Sequence, residues 1–101
     1  MSYRLRTSRR AGREIREAAT WWHLNRDKAP LAFAEDLGDA FRLVSELPRA
    51  GEPVRHTRMS GVRRVLLSRS GYHLYYVVDE SATTVELLAL WHSRRGTSPG
   101  L

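Results

Sequence analysis

The stretch Gly61-Val62-Arg63-Arg64-Val65-Leu66-Leu67-Ser68-Arg69-Ser70-Gly71-Tyr72-His73-Leu74-Tyr75-Tyr76-Val77-Val78 holds two runs of β-forming residues around a polar break that ends in glycine. Such a pattern reads as strand, tight turn, strand. If the turn at Ser68–Gly71 pairs Leu67 with Tyr72, then Val65 faces Leu74 and Arg63 faces Tyr76. One face of the hairpin then carries Val65, Leu67, Tyr72, Leu74, Tyr76 and Val78. The other carries Arg64, Leu66, His73, Tyr75 and Val77. The first face is almost wholly apolar and is the expected core side. At about 1.5–3 kcal/mol for each large apolar side chain buried, inverting this register would be costly.

Downstream, Asp79–Thr83 breaks the pattern and Thr84–Trp91 forms a third run, so the three strands make an antiparallel meander. In the third strand Glu86 marks the solvent parity, which predicts Val85, Leu87, Ala89 and Trp91 pointing inward. Upstream, residues 48–61 hold Pro48, Gly51, Pro53 and Gly61 without periodicity and read as a loop. Before them the apolar period changes to that of a helix. Ala11, Ile15, Ala18, Ala19 and Trp22 line one face of a helix predicted over Arg9–Leu24, with Ser8 as its N-cap. Phe33, Ala34, Leu37, Ala40, Phe41, Val44 and Leu47 line a second, with Pro30 in its first turn and Pro48 beyond its end. The short break at Asn25–Lys28 makes the two an αα-hairpin. Tyr3–Thr7 alternates and predicts a first strand. The expected fold is therefore α+β: an N-terminal strand, an αα-hairpin, then a three-stranded antiparallel meander with both helices on one face. The 101 residues suit one domain with one core, followed by an irregular tail over about residues 93–101.

Composition narrows the function. With no cysteine there is neither a disulfide framework nor a thiolate metal site. His23, His56, His73 and His92 share no ligand spacing, so no metal or cofactor is expected. The arginine-rich start has no apolar signal region and no run is long enough to span a membrane, which predicts a cytoplasmic protein. The net charge is +6, and Lys28 is the single lysine among seventeen basic residues. Arginine's planar fork grips carboxylates and phosphates, which suits an anionic macromolecular partner. The charge is unevenly spread. Residues 1–28 carry eight basic and three acidic groups, and residues 54–71 carry five and none, whereas residues 29–53 are net acidic. A positive surface follows.

The ordered set Trp21-Trp22, Asn25-Arg26, Ala29-Pro30, Leu47-Pro48, Gly61–Leu67, Tyr72–Tyr76 and Leu90-Trp91-His92-Ser93-Arg94-Arg95-Gly96 resembles the ParE/RelE superfamily of bacterial toxins, in its ParE-like branch. The resemblance spans nearly the whole chain and implies the RelE/ParE-like fold. For function it implies the toxin of a type II toxin–antitoxin module, binding and inhibiting DNA gyrase, and held in a hetero-oligomer by an acidic antitoxin. RelE-like relatives are instead ribosome-dependent mRNA endonucleases, whose platform carries several basic residues and a tyrosine in the tail. Here Arg64 keeps one basic position, Leu66 fills the second and His73 stands in for an arginine. Ser93 falls near the last arginine with Arg94 beside it, and no tyrosine follows Tyr76. An endonuclease reading would rest on Arg64, His73, His92 and Arg94, with ribosome and mRNA as partners. A degenerate copy that binds only its antitoxin is a third reading. In the gyrase reading no residue is catalytic. The expected target contacts are then Arg64, His73, Tyr75, Arg94 and Arg95, and the expected antitoxin contacts are Trp21, Leu24, Arg63 and Arg64. For Arg63 and Arg64 the structural alternative is a strand-edge charge paired with Glu86, and for Arg94 and Arg95 a solubilised tail.

Overall fold

The computed structural model describes residues 2–101. Strand β1 (Arg4–Thr7) leads into helix α1 (Arg9–Asn25). The Ser8 hydroxyl caps α1, accepting the Ala11 N–H at 3.1 Å as the N-cap expectation requires. Helix α2 (Ala32–Glu46) begins two residues after Pro30, which lies in the preceding turn instead of the first helical turn. The Trp22 indole N–H fixes that connection by donating to the Ala29 carbonyl at 2.8 Å. Four further strands follow: β2 (Glu52–Pro53), β3 (Arg63–Leu67), β4 (Tyr72–Asp79) and β5 (Thr84–His92).

The strands form one sheet in the order β1-β5-β4-β3-β2. β1 runs parallel to β5 and the other pairs are antiparallel. The meander is thus the centre of a five-stranded mixed sheet. Pairing within β3–β4 is Leu67 with Tyr72, Val65 with Leu74 and Arg63 with Tyr76, as the apolar alternation predicts. Gly71 closes the turn at a φ of 83°, where a side chain would be strained. Asp36 of α2 ties this turn to the helices. Its buried carboxylate accepts the Ser70 N–H at 2.7 Å and the Ser70 hydroxyl at 2.8 Å.

Both helices cover one face of the sheet, here called the inner face. Ala11, Ala18 and Trp22 of α1 and Phe33, Ala40 and Val44 of α2 pack there on Val65, Leu67, Leu74 and Tyr76. Ala19, Ala34 and Leu47, which fit the helical periods, are exposed because each lies at the margin of its stripe. Within the expected loop of residues 48–61, Glu52 and Pro53 form the short edge strand against Arg64 and Arg63. A two-residue strand carries too little pattern to show in sequence.

The third strand departs from its expected parity. Tyr76 pairs with Leu87 and Tyr75 with Ala89, so Leu88 is an extra residue in β5. Beyond that bulge the faces exchange. Val85 and Leu87 point inward as expected, but Leu90 takes the next inner place, and Ala89 and Trp91 turn to the outer face. Leu88 and Ala89 there join Val62 and Tyr75 in a second small core, flanked by Val54, Val77, Trp91 and Leu101. The tail over residues 93–101 has no regular structure, yet it folds back across this core. The Leu101 main-chain oxygen accepts the N–H groups of Arg58 and Met59 at 2.9 and 3.0 Å.

Candidate functional site

The expected site residues fall into two groups, one on the outer face of the sheet and one around a cleft at the end of β5. Arg64, His73 and Tyr75 lie together on the outer face. Arg64 donates through Nε to the Glu52 carboxylate at 2.5 Å and through Nη1 to the Tyr75 hydroxyl at 3.2 Å. The rings of His73 and Tyr75 stand edge to face, 6.2 Å apart. Arg64 is therefore paired with Glu52 and not with Glu86, which lies further along the sheet opposite Val77 and Arg6. The Glu52 carboxylate holds the Arg64 pKa above its ordinary value, with the Tyr75 hydroxyl adding to the effect. In return Arg64 lowers that of Glu52. Burial, with the charge of Arg64 second, lowers the pKa of His73, so its imidazole is neutral at pH 7.

Arg63 points the other way. Its guanidinium donates to the Gly51 carbonyl at 2.7 Å and the Arg49 carbonyl at 3.2 Å, fixing the chain that enters β2.

The second group surrounds an open cleft of about 930 Å³ between α1, the β3–β4 turn and the end of β5. Trp21, Trp22 and Arg26 form one wall, and His92, Arg94 and Arg95 form another. His92 packs edge-on against Tyr72 with 4.9 Å between ring centres, and its Nδ1 accepts the Arg94 N–H at 3.1 Å. Arg95 stacks over Trp91 at 4.1 Å, and the Trp91 indole N–H reaches the Thr97 carbonyl at 2.9 Å. Arg26 lies 5.1 Å from Trp21 and 5.7 Å from Trp22. Trp21 is 45% exposed and Leu24 74%, while their neighbour Trp22 is buried. Consecutive helical positions differ by 100°, so one tryptophan faces the core and the other the solvent.

Four residues named by the endonuclease reading thus separate in space. Arg64 and His73 share the outer face, whereas His92 and Arg94 sit at the cleft on the helix side. Trp21, Arg94 and Arg95, assigned to different partners from sequence, line one cleft. Sequence reasoning misses Glu52, Arg26 and the stacking role of Trp91. An aromatic residue four places before an arginine in the tail is a usable signal for Trp91–Arg95. Nothing local marks Glu52, whose partner stands twelve residues away. Among the described residues no helix is long and apolar enough to cross a membrane.

Two helices laid on one face of a five-stranded mixed sheet, with a basic end to the last strand, define a small toxin domain of the RelE/ParE type. A sequence model for the ParE toxin of the type II toxin–antitoxin system parDE matches residues 5–96, and the chain belongs to that family. It is a type II toxin of the ParE/RelE superfamily. No curated protein sequence matches it. Among solved structures it is similar to the toxin–antitoxin complex RelBE2 from Mycobacterium tuberculosis at 27% identity and a TM-score of 0.66, over 91% of this chain and 99% of that one. The intact E. coli RelBE complex is similar at 25% identity and a TM-score of 0.62, over 93% and 100%. A chromosomal ParDE system from P. aeruginosa shares the fold at 15% identity and a TM-score of 0.66, over 90% and 96%.

Proposed function

We propose that this toxin acts in the cytoplasm by gripping an essential macromolecule, DNA gyrase, without cutting a bond, and that an acidic antitoxin neutralises it. The observation that carries the reading is that Arg64 and His73 lie on the outer face of the sheet, whereas His92 packs against Tyr72 on the other face. General acid–base cleavage of RNA needs its proton-transfer groups and phosphate clamp around one scissile bond. Two groups on opposite faces do not meet there. Binding has no such requirement. Arg94 and Arg95 stand on a turn whose backbone is braced by His92, Trp91 and Thr97, and the Arg95 guanidinium is further held over the Trp91 ring. Arg64 and His73, both half-buried, offer a second contact surface on the outer face, whereas Tyr75, expected among the target contacts, is buried beneath them at 3% exposure.

The antitoxin reading rests on Trp21 and Leu24, two exposed apolar side chains one turn apart on α1, beside a basic cleft. Such a strip suits an amphipathic acidic segment, with apolar anchors giving affinity and carboxylates giving speed and register. The M. tuberculosis and E. coli relatives were solved as toxin–antitoxin complexes. Arg63 and Arg64 would meet the far end of such a segment.

The reading is tested by inducing the toxin without its antitoxin. Supercoiling by purified gyrase is expected to fall, while primer extension on cellular mRNA shows no new ends. The Arg94→Ala/Arg95→Ala double variant, whose surface changes shift stability by only about 0.5 kcal/mol, is expected to lose that inhibition. Codon-positioned mRNA cuts with normal supercoiling would transfer the chain to the endonuclease class.

A further inference from the structure

The chain leaves β5 through a short basic turn in which the N–H groups of Ser93, Arg94 and Arg95 are all bound. Ser93 donates to the Gly71 carbonyl at 2.8 Å and Arg95 to the His92 carbonyl at 3.1 Å. Between them the Arg94 N–H is taken by a side chain, the Nδ1 atom of the His92 ring, at 3.1 Å. The ring is itself held in place. It stands edge-on to Tyr72, and a Cβ at Gly71 would come within 3.1 Å of its Nε2 atom, so the glycine leaves room for it. The turn that carries Gly71 is anchored by Ser70 on the buried Asp36 carboxylate. One imidazole nitrogen thus connects the basic turn to the helix-backed part of the fold.

An acceptor nitrogen must carry a lone pair, so the bonded form of His92 has Nδ1 unprotonated. A protonated imidazole donates from both nitrogens and accepts at neither, which leaves the Arg94 N–H facing another N–H. The groups around the ring supply no substitute. Helix α1 contributes Glu14, Glu17 and Arg26 to the same cleft, the β3–β4 turn Arg69, β4 the Tyr72 hydroxyl, and the basic turn Arg94 and Arg95. Glu14 is engaged by Arg10 and the Leu90 N–H, and Arg69 by Glu35, Asp36 and Asp39. Among the described residues, none of these side chains bonds the His92 ring or the Arg94 N–H. We infer that His92 is the positioning residue of the basic turn: its unprotonated Nδ1 fixes the Arg94 main chain, so the two arginines are set for a partner at neutral pH and released when the ring takes up a proton. Imidazole changes its charge between about pH 5 and about pH 8, which places the release within that range. That the partner is the inhibited target rests on the reading proposed above; the brace and its pH dependence do not.

Two variants separate the acceptor from the ring. His92→Phe keeps an aromatic ring on Tyr72 but has no acceptor, whereas His92→Asn gives up the ring and sets an amide oxygen close to the Nδ1 position. Amide hydrogen exchange by NMR on the full chain reads the brace directly, at about pH 7.5 and about pH 5.5. In the parent, protection of the Arg94 N–H is expected to fall about threefold to tenfold on acidification, the worth of one hydrogen bond. In His92→Phe it should be low at both pH values, and in His92→Asn retained at both. His73→Gln, on the outer face, should leave the parental pattern unchanged. At about pH 7.5 the Kd for purified gyrase is expected to rise about threefold or more in His92→Phe and to stay within about twofold of the parent in His92→Asn. A role confined to packing would reverse that order. Equal Arg94 protection at the two pH values in the parent, or protection that survives in His92→Phe, would overturn the inference. Gyrase that does not bind the parent would overturn the target reading alone, because the exchange data decide the brace.

Discussion

The two faces of the sheet are made by the same three strands and are held in different ways. The inner face is covered by two helices, and Leu74 and Tyr76 on it are wholly buried. The outer face is covered by a loop and an irregular tail, with Leu66 and the charged pair Arg64–Glu52 left at the surface. The bulge at Leu88 makes the second core possible. It adds one residue to β5, so that Leu88 and Ala89 both serve the outer side while Leu90 returns to the inner one. Here the helices carry Arg9, Arg13, Arg16 and Arg42 on their exposed sides, while Arg64 lies on the outer face and Arg94 and Arg95 beyond the last strand.

The largest expected difference between the faces is in packing. Leu74→Ala removes a side chain enclosed by the helices and should cost about 3–5 kcal/mol, since rigid neighbours cannot close the cavity. Leu88→Ala, in the small second core covered by irregular chain, should cost about 2 kcal/mol, since fewer rigid elements enclose its site. Urea unfolding of both variants measures the gap. Equal losses would mean that the tail clamps the outer core as firmly as the helices hold the inner one.

A smaller contrast separates two adjacent tyrosines. The Tyr76 hydroxyl accepts the Gly51 N–H at 2.9 Å and donates to the Pro48 carbonyl at 2.7 Å. Tyr76→Phe leaves both without that partner, at a cost of about 1–3 kcal/mol. Among the described residues the Tyr75 hydroxyl bonds only to Arg64, which keeps Glu52 in any case. Tyr75→Phe should therefore stay within about 0.5 kcal/mol of the parent. If both variants unfold at the same urea concentration, the Gly51–Tyr76 anchor does not stabilise the fold.

This difference between the faces also decides how much of the fold is legible in the amino-acid sequence. The β3–β4 register is legible because Val65, Leu67, Leu74 and Tyr76 alternate with polar or larger amphipathic residues, and only one register buries them together. The parity of β5 is not legible past Glu86. Leu87-Leu88-Ala89-Leu90 is continuously apolar, so period two leaves no trace when both faces are covered. Parallel pairing of β1 and docking of the tail are long-range contacts, and neither Arg4–Thr7 nor Thr97–Leu101 carries a pattern that names its partner. Of the site, the arginines and exposed tryptophan are visible as residue types. Their division between two faces is not, because it follows from the bulge and from which side the helices take.

The smallest effect expected is in the pH dependence, and it has opposite signs on the two faces. On the outer face the pKa of His73 lies below its ordinary 6.5, chiefly through burial, and that of Glu52 below 4.5 through its bond to Arg64. In both cases the unfolded chain binds protons more readily than the folded one. Their contribution is therefore complete above the unfolded values and is lost as pH falls, first below about 6.5 for His73 and then below about 4.5 for Glu52. On the inner face burial raises the pKa of Tyr72 and Tyr76 above 10.0. The folded state there keeps its protons longer, so stability is complete below 10.0 and is lost as pH rises beyond it. Urea midpoints measured from about pH 4 to about pH 11 should thus fall at both ends. His73→Gln should flatten the step just below about pH 6.5 and leave the alkaline fall untouched, while Tyr76→Phe should reduce the alkaline fall alone. A step just below about pH 6.5 that survives His73→Gln would move its origin away from the outer-face histidine and remove the electrical half of the contrast.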